Sequence, residues 1–295
     1  MSTGAGTGPI VVGVDGSAVS KVAVDWAARD AAMKGLDLTL VHMLNPPVVM
    51  AFPEVPMPQE YLQWQEGEAR KILDAAAGVA AAATKDAAKD ITISHEMLSG
   101  PPIPALIEAS KGAHMIVVGC RGRGALARGL LGSVSNGLLH HALCPVAVIH
   151  DEDPLMPHPS EAAVVVGVDG SPASEKALAI AFEEASLRGV DLLAVHAWSD
   201  SAVFEFPGTD WSTLQAMGEE TLGERLAGWQ EHYPDVLVRR TVVVDRPAHQ
   251  LIEQAESAQL LVVGSHGRGG FAGMLLGSVS TAVVNAARMP VIVAR

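Results

Sequence analysis

Residues 11–17 read V-V-G-V-D-G-S, and residues 165–171 read the same seven letters again, 154 positions further along the chain. A second matched pair, V-V-G-C-R-G-R-G at 117–124 and V-V-G-S-H-G-R-G at 262–269, is separated by 145 positions. We place the nine extra residues of the first copy in the segment 45–59, where five prolines forbid regular structure and predict a surface loop. Two copies of one plan in a single chain indicate a tandem duplication.

The two copies meet in an acidic, proline-rich stretch. Residues 151–161 combine three prolines with four carboxylates and show neither helical nor strand periodicity, which is the composition of a linker. We therefore predict a first domain over 1–150, a linker over 151–161 and a second domain over 162–295.

Each copy alternates apolar strands with helical segments. The pattern opens with a β-branched strand at 10–14 or 164–168 and continues with a helix that ends at Gly35 or Gly189. Alternation of this kind is typical of βαβ units and of a parallel sheet covered by helices on both faces. The sequence therefore predicts an α/β protein made of two tandem doubly wound domains, each with a five-stranded parallel sheet.

Composition narrows the functional classes. The 295 residues carry 20 Lys and Arg against 33 Asp and Glu, a net charge of −13, and aromatic residues make up only 4%. This balance argues against a nucleic-acid-binding protein or one that coats an anionic membrane. No apolar stretch approaches the ~20 residues of a spanning helix, the N-terminus does not resemble a signal peptide, and two cysteines form no disulfide framework. We expect a cytoplasmic protein without membrane insertion.

Two strand ends in each copy carry unusual sequence. The first strand runs into Asp15-Gly-Ser17, and the fourth into the pattern G-x2-G-x9-G-S, which begins at Gly119 and is repeated from Gly264. Glycines let the backbone approach a ligand closely, and the helix that opens at the last serine attracts anions to its free N–H groups. The first loop also holds three arginines and no acid, at positions 121, 123 and 128. These features together predict a phosphate site.

Structural explanations stand beside each of these residues. Ser133 and Ser278 are equally consistent with plain helix N-caps, and Asp15 and Asp169 with caps or loop hydrogen bonds. Their joint recurrence in both copies indicates that these positions matter, either for folding or for binding. His42 and its counterpart His196 either contact a ligand or cap the end of the second strand.

Other kinds of site find little support. Cys120 follows the fourth strand, and the serine at the matching position 265 argues against a redox role for it. A P-loop, a paired metal motif and a nucleophile elbow with a catalytic triad are all absent from the sequence. We therefore assign no catalytic residue and no metal ligand.

The quoted motifs, V-V-G-V-D-G-S, then V-V-G-x-x-G-R-G followed by L-L-G-S-V-S, and a closing x-P-V-x-V strand, resemble the universal stress protein family over nearly the whole chain. The G-x2-G-x9-G-S spacing is similar to that of the ATP-binding subgroup, and the tandem form with an acidic linker is similar to actinobacterial members. The resemblance implies the strand order 3-2-1-4-5, one ATP per domain, Mg²⁺ accompanying the ATP, and a role in stress survival, dormancy or growth control.

The resemblance also implies individual contacts in each copy. An aspartate and a valine would face adenine, a valine and two glycines would line the ribose and the phosphate entry, and the helix start would hold the phosphates. In the first copy these residues are Asp15, Val41, Val118, Gly119, Gly122, Gly132, Ser133, Val134 and Ser135. In the second copy they are Asp169, Val195, Val263, Gly264, Gly267, Gly277, Ser278, Val279 and Ser280.

Three functional readings remain open. The first is a nucleotide-dependent regulator with little or no catalysis, the second a slow ATP hydrolase or adenylating enzyme, and the third an interaction scaffold with vestigial nucleotide sites. The apolar fifth strands would lie at sheet edges, and an unguarded edge is a pairing surface. We therefore expect the two copies, or two chains, to associate through these strands, and we predict a homodimer; the sequence does not identify a downstream protein partner.

Overall fold

The computed structural model describes residues 7–44, 58–122, 131–150, 161–198, 211–244, 246–268 and 275–295. The predicted loop over 45–59 therefore falls largely outside the described residues, and so does the predicted linker over 151–161. The described residues form two compact units. None of the helices within these ranges combines the length and the apolar character needed to cross a membrane.

The described residues of the first unit form four strands and four helices. In chain order they are β1 (Ile10–Gly13), α1 (Ala18–Lys34), β2 (Leu38–Leu44), α2 (Gln59–Thr84), β3 (Ile93–Ser99), α3 (Pro102–Ala109), β4 (Met115–Gly119) and α4 (Ser133–His141). The strands are parallel and lie in the order β3-β2-β1-β4. The central strands β1 and β4 are the apolar runs of the sequence, and their side chains are almost entirely buried.

The second unit repeats this plan and adds strands. Its elements are β5 (Val146–Ile149), β6 (Val164–Gly167), α5 (Pro172–Arg188), β7 (Leu192–Trp198), α6 (Trp211–His232), β8 (Val238–Val244), α7 (Pro247–Ala255), β9 (Leu260–Gly264), α8 (Ser278–Ala286) and β10 (Val291–Ala294). The strand order is β5-β10-β9-β6-β7-β8, in which β6 to β10 are parallel. The five strands of the second copy thus follow the order 3-2-1-4-5, and the α/β class with a sheet dominated by parallel pairs is confirmed.

β5 is the first strand of the second unit in chain order. Its sequence closes the first copy, but it belongs to the second unit and pairs antiparallel with β10, with Val148 opposite Val291 and Val146 opposite Val293. The expected association of fifth strands therefore occurs within one chain. Because β9 and β5 occupy both edges of β10, a homodimer formed through this strand would have to displace β5. The homodimer and the domain limits at 150 and 162 stay predictions.

Local sequence explains where α1 and α5 begin and end. Ser17 and Ser171 are the N-caps, and the hydroxyl oxygen of each accepts the N–H three residues later at 3.2 Å. Gly35 and Gly189 follow the last turns with φ of 71° and 64°, in the left-handed region that glycine adopts without strain. The C-terminal ends of α1 and α5 are therefore where the sequence predicts them. At the other end of each helix, the loop that contains Asp15 or Asp169 comes directly before the N-cap serine.

Candidate functional site

The two predicted aspartates organise the loop between the first strand and the first helix of each copy. The N–H of Ser17 donates to Asp15 Oδ1 at 2.9 Å, and the N–H of Ser171 donates to Asp169 Oδ1 at 2.9 Å. Since the serines cap the helices, the idea that the aspartates are the caps is wrong, whereas the loop hydrogen bond is present. One oxygen of each carboxylate is thus committed to the loop.

The second oxygen of each carboxylate faces the middle glycine of the G-x2-G-x9-G pattern. A Cβ on Gly122 would lie 2.7 Å from Asp15 Oδ2, and one on Gly267 would lie 2.7 Å from Asp169 Oδ2. In the second copy the N–H of Arg268 donates to Asp169 Oδ2 at 3.0 Å. Only glycine leaves room for the carboxylate at this position, so the structure brings these predicted residues together.

The surroundings of Asp169 favour its charged form. Burial of the carboxyl would by itself raise its pKa, but hydrogen bonds from Ser171 and Arg268 outweigh the burial and hold the pKa of Asp169 below its ordinary value of 3.8. The second copy therefore presents a fixed negative charge beside the glycine loop.

The first glycine of the pattern has a different task. A Cβ on Gly119 would come within 2.8 Å of Val19 Cγ1, and one on Gly264 within 2.8 Å of the Ala173 carbonyl carbon. Both glycines therefore let the end of a strand pack closely against the first turn of α1 or α5. This packing explains their retention in both copies without a ligand.

The third glycine begins the last helix of each copy. Gly132 and Gly277 are the N-caps of α4 and α8, so Ser133 and Ser278 are the first helical residues and the alternative that these serines are N-caps is wrong. The N–H of Gly132 donates to Cys120 O at 2.8 Å, and that of Gly277 donates to Ser265 O at 2.7 Å. These bonds hold the helix start against the end of the glycine loop.

The first turns of α4 and α8 offer backbone donors. The N–H of Asn136 donates to Gly132 O and that of Thr281 to Gly277 O, as in any helix. The N–H groups of residues 133–135 and 278–280 lie in the first turn of each helix, where a backbone N–H has no acceptor within its own helix. Ser133 and Ser278 are exposed. Each helix therefore presents a bare amino end with its positive dipole.

The second serine of each helix start is buried and anchors the turn. Ser135 Oγ donates to Cys120 O at 3.1 Å, and Ser280 Oγ donates to Gly264 O at 2.6 Å. Their hydroxyl protons are thus directed to protein carbonyls. Any phosphate contact at these two predicted positions would come from the backbone N–H, and so would any contact at Val134 and Val279.

The remaining predicted residues lie at the same end of the strands. The carbonyl of Val41 accepts the N–H of Val14 at 2.8 Å, and the carbonyl of Val195 accepts that of Val168 at 2.9 Å, directly before each aspartate. The side chains of Val41, Val195, Val118 and Val263 are buried.

The two histidines at the ends of β2 and β7 play equivalent structural parts. The Nδ1 atoms of His42 and His196 lie 2.7 Å from the carbonyls of Val14 and Val168. Each imidazole therefore caps the end of the neighbouring central strand.

Arg268, the cation of the second G-R-G motif, contributes to the site around Asp169. Besides its N–H bond to Asp169, its guanidinium lies against Gly170, where a Cβ would collide with the arginine Nη2 atom. In the sequence, Arg268 is marked by its position directly after Gly267, the middle glycine of the pattern. Arg123 and Arg128 lie outside the described residues, and within the described part of the chain no cluster of three His, Cys, Asp or Glu side chains could hold a metal ion.

Comparison with known proteins agrees with this architecture. The family model described as "Universal stress protein family" matches residues 6–150 and 162–295. A universal stress protein of Mycobacterium bovis is 56% identical over 286 residues, which are 97% of this chain and 96% of the relative. Another, from Mycobacterium tuberculosis, is 54% identical over 295 residues, which are 100% of this chain and 99% of the relative.

A solved structure shares the fold. The crystal structure of a universal stress protein from Archaeoglobus fulgidus superposes with a TM-score of 0.70 at 24% identity, covering 100% of this chain and 98% of that one. Both copies of the motif, the strand order of the second unit and the match of the family model to both halves lead to one conclusion. The chain belongs to the universal stress protein family.

Proposed function

We propose that each copy binds one ATP and that the protein is a nucleotide-dependent regulator of stress survival or growth. The observation that carries this proposal is the start of α4 and of α8. A glycine N-cap is followed there by the first three N–H groups of the helix, which have no acceptor within the helix, next to a glycine loop and a carboxylate. Such an arrangement matches the needs of a phosphate chain.

The parts of the nucleotide can be assigned to parts of the site. The backbone N–H groups of residues 133–135 and 278–280 would hold the phosphates. Asp15 and Val41, or Asp169 and Val195, would face adenine. The ribose and the phosphate entry would lie along Val118, Gly119 and Gly122, or along Val263, Gly264 and Gly267. Mg²⁺ would accompany the phosphates and neutralise part of their charge.

The same geometry favours binding over catalysis. Asp15 and Asp169 are the acidic residues assigned to the two sites, and both accept hydrogen bonds from loop N–H groups. A carboxylate held in this way stabilises a loop and is poorly placed to activate water. We therefore propose that ATP occupancy orders the loops for a downstream partner in the cytoplasm, where Cys120 and Cys144 would stay reduced, as they are in the structure.

Gly132 offers a clean test of the first site. A Cβ on Gly132 would meet no atom closer than 3.5 Å, and its φ of −66° suits any residue, so Gly132→Ala should fold normally. Gly119→Ala is unsuitable because of its collision with Val19. The matched control is Gly112→Ala, where a Cβ has nothing within 4 Å.

Calorimetry and turnover measurements on these variants separate the three functional readings. We expect two ATP per wild-type chain and per Gly112→Ala chain, negligible turnover, and an affinity at one site about tenfold weaker in Gly132→Ala, a loss of about 1.4 kcal/mol. If wild-type protein binds no ATP, the regulator hypothesis fails and the scaffold with vestigial nucleotide sites is supported. If it releases product rapidly, the hypothesis of an ATP hydrolase or adenylating enzyme is supported. Two unchanged affinities in Gly132→Ala would contradict the assigned position.

A further inference from the structure

His150 follows the last residue of β5 and lies between two backbone carbonyls of the second unit. Its Nδ1 is 3.1 Å from Met289 O, and its Nε2 is 3.0 Å from Val284 O. Both distances are those of hydrogen bonds, and a carbonyl oxygen can only accept. Both hydrogen bonds can form together only if each ring nitrogen donates a proton.

Only the protonated ring can meet this demand. A neutral imidazole carries a single N–H, so one of its nitrogens would point a lone pair at a carbonyl oxygen. The imidazolium cation carries two N–H groups and satisfies both acceptors with charge-assisted hydrogen bonds. The geometry around His150 thus fits the charged form of the side chain.

The electrostatic surroundings favour the same form. Val284 lies in the last turn of α8, which ends at Ala286, and its carbonyl belongs to the negative end of the helix dipole. The equivalent residue of the second copy, 145 positions later, is Arg295, which follows β10 as His150 follows β5. The second copy therefore has a permanent cation at this position.

Neither α8 nor β10 contains an ionisable side chain, and the exposed Arg288 lies between them. α5 packs against β10 and carries the buried Glu184, whose Oε2 is 2.9 Å from the Arg188 guanidinium. We assign the proton of each ring nitrogen to the carbonyl oxygen that lies within hydrogen-bond distance of it.

We propose that His150 is a proton-operated clasp that fastens β5 against β10 and α8. Proton uptake accompanies closure of the clasp, so its stabilisation is present when the ring is charged and is lost as the pH rises through the titration of the imidazole. Acidification would then tighten the attachment of the strand that closes the first copy. The clasp does not depend on nucleotide binding.

Amide hydrogen exchange of Val146–Ile149 tests the clasp on the full chain. After correction for the intrinsic exchange rate, we expect protection in wild-type protein to fall about tenfold between about pH 6 and about pH 8. His150→Gln should show low protection at both values. The control His249→Gln removes an exposed histidine of α7 and should keep the wild-type dependence.

Nitrogen NMR of the His150 ring in wild-type protein provides a second measurement that needs no variant. Two protonated ring nitrogens at about pH 6, with loss of one proton on raising the pH, agree with the clasp. A single protonated nitrogen at about pH 6, or the same pH dependence of protection in His150→Gln as in wild-type protein, overturns it.

Discussion

At the scale of single residues, the three glycines of one motif have three separate physical tasks. Gly119 admits the side chain of Val19, Gly122 admits the carboxylate of Asp15, and Gly132 contacts nothing closely. The sequence shows only that all three recur at fixed spacing. Which glycine serves the fold and which leaves room for a ligand depends on neighbours that are distant in the chain, and so the sequence could not separate them.

Asp169 should make the second copy sensitive to acid. Its pKa is lower in the folded protein than the ordinary 3.8, so its contribution to stability is present above that value and is lost as the pH falls through the folded pKa. We expect Asp169→Asn to be less stable than wild-type protein near neutral pH, because an amide nitrogen would face a backbone N–H. The difference should shrink in acid.

Denaturant unfolding of both proteins at about pH 6 and about pH 3 measures this effect. The control Asp25→Asn removes an exposed carboxylate that pairs with Arg29 on α1, and its difference from wild-type protein should remain small. A stability difference for Asp169→Asn that persists unchanged at the acid value would show that the charge of Asp169 is not the cause.

At the scale of elements, sequence reasoning locates the glycine ends of α1 and α5 correctly, whereas for their N-caps it offered the aspartates in place of Ser17 and Ser171. The serine before each helix and the glycine after it act within a few residues, so local chemistry determines them. The partner of β5 is different. Its four apolar residues predict a buried strand, but neither the direction of pairing nor the identity of the neighbour is a local property.

Loss of the α1 cap should destabilise the first unit measurably. We expect Ser17→Ala to lower the free energy of unfolding by about 1 kcal/mol, because the N–H of Ser20 loses its acceptor. Ser17→Thr keeps a hydroxyl at the same place and should lose less than half of that amount, about 0.5 kcal/mol or less. Urea denaturation followed by circular dichroism compares the three proteins. Equal stability of the alanine and wild-type forms would show that the cap bond contributes nothing.

At the scale of the whole molecule, the duplicated site predicts a doubled response to ligand. With ATP about a hundredfold above its Kd, each bound ATP should raise the free energy of unfolding of the copy that holds it by about 2.7 kcal/mol. With affinities about tenfold weaker, Gly132→Ala and Gly277→Ala should each lower the stabilisation of one copy to about 1.4 kcal/mol, and the combined variant should show this loss in both copies. Unfolding with and without ATP measures the response. A combined variant that ATP stabilises as much as wild-type protein would place the ligand elsewhere.

The pairing of β5 with β10 has a practical consequence for anyone who wishes to study one half by itself. A fragment that starts after the acidic linker would leave one long side of β10 bare, with its peptide groups ready to recruit a strand from another molecule. Such a fragment should self-associate in proportion to its concentration. Starting the recombinant piece at Pro145 instead would supply the missing strand on this side of β10.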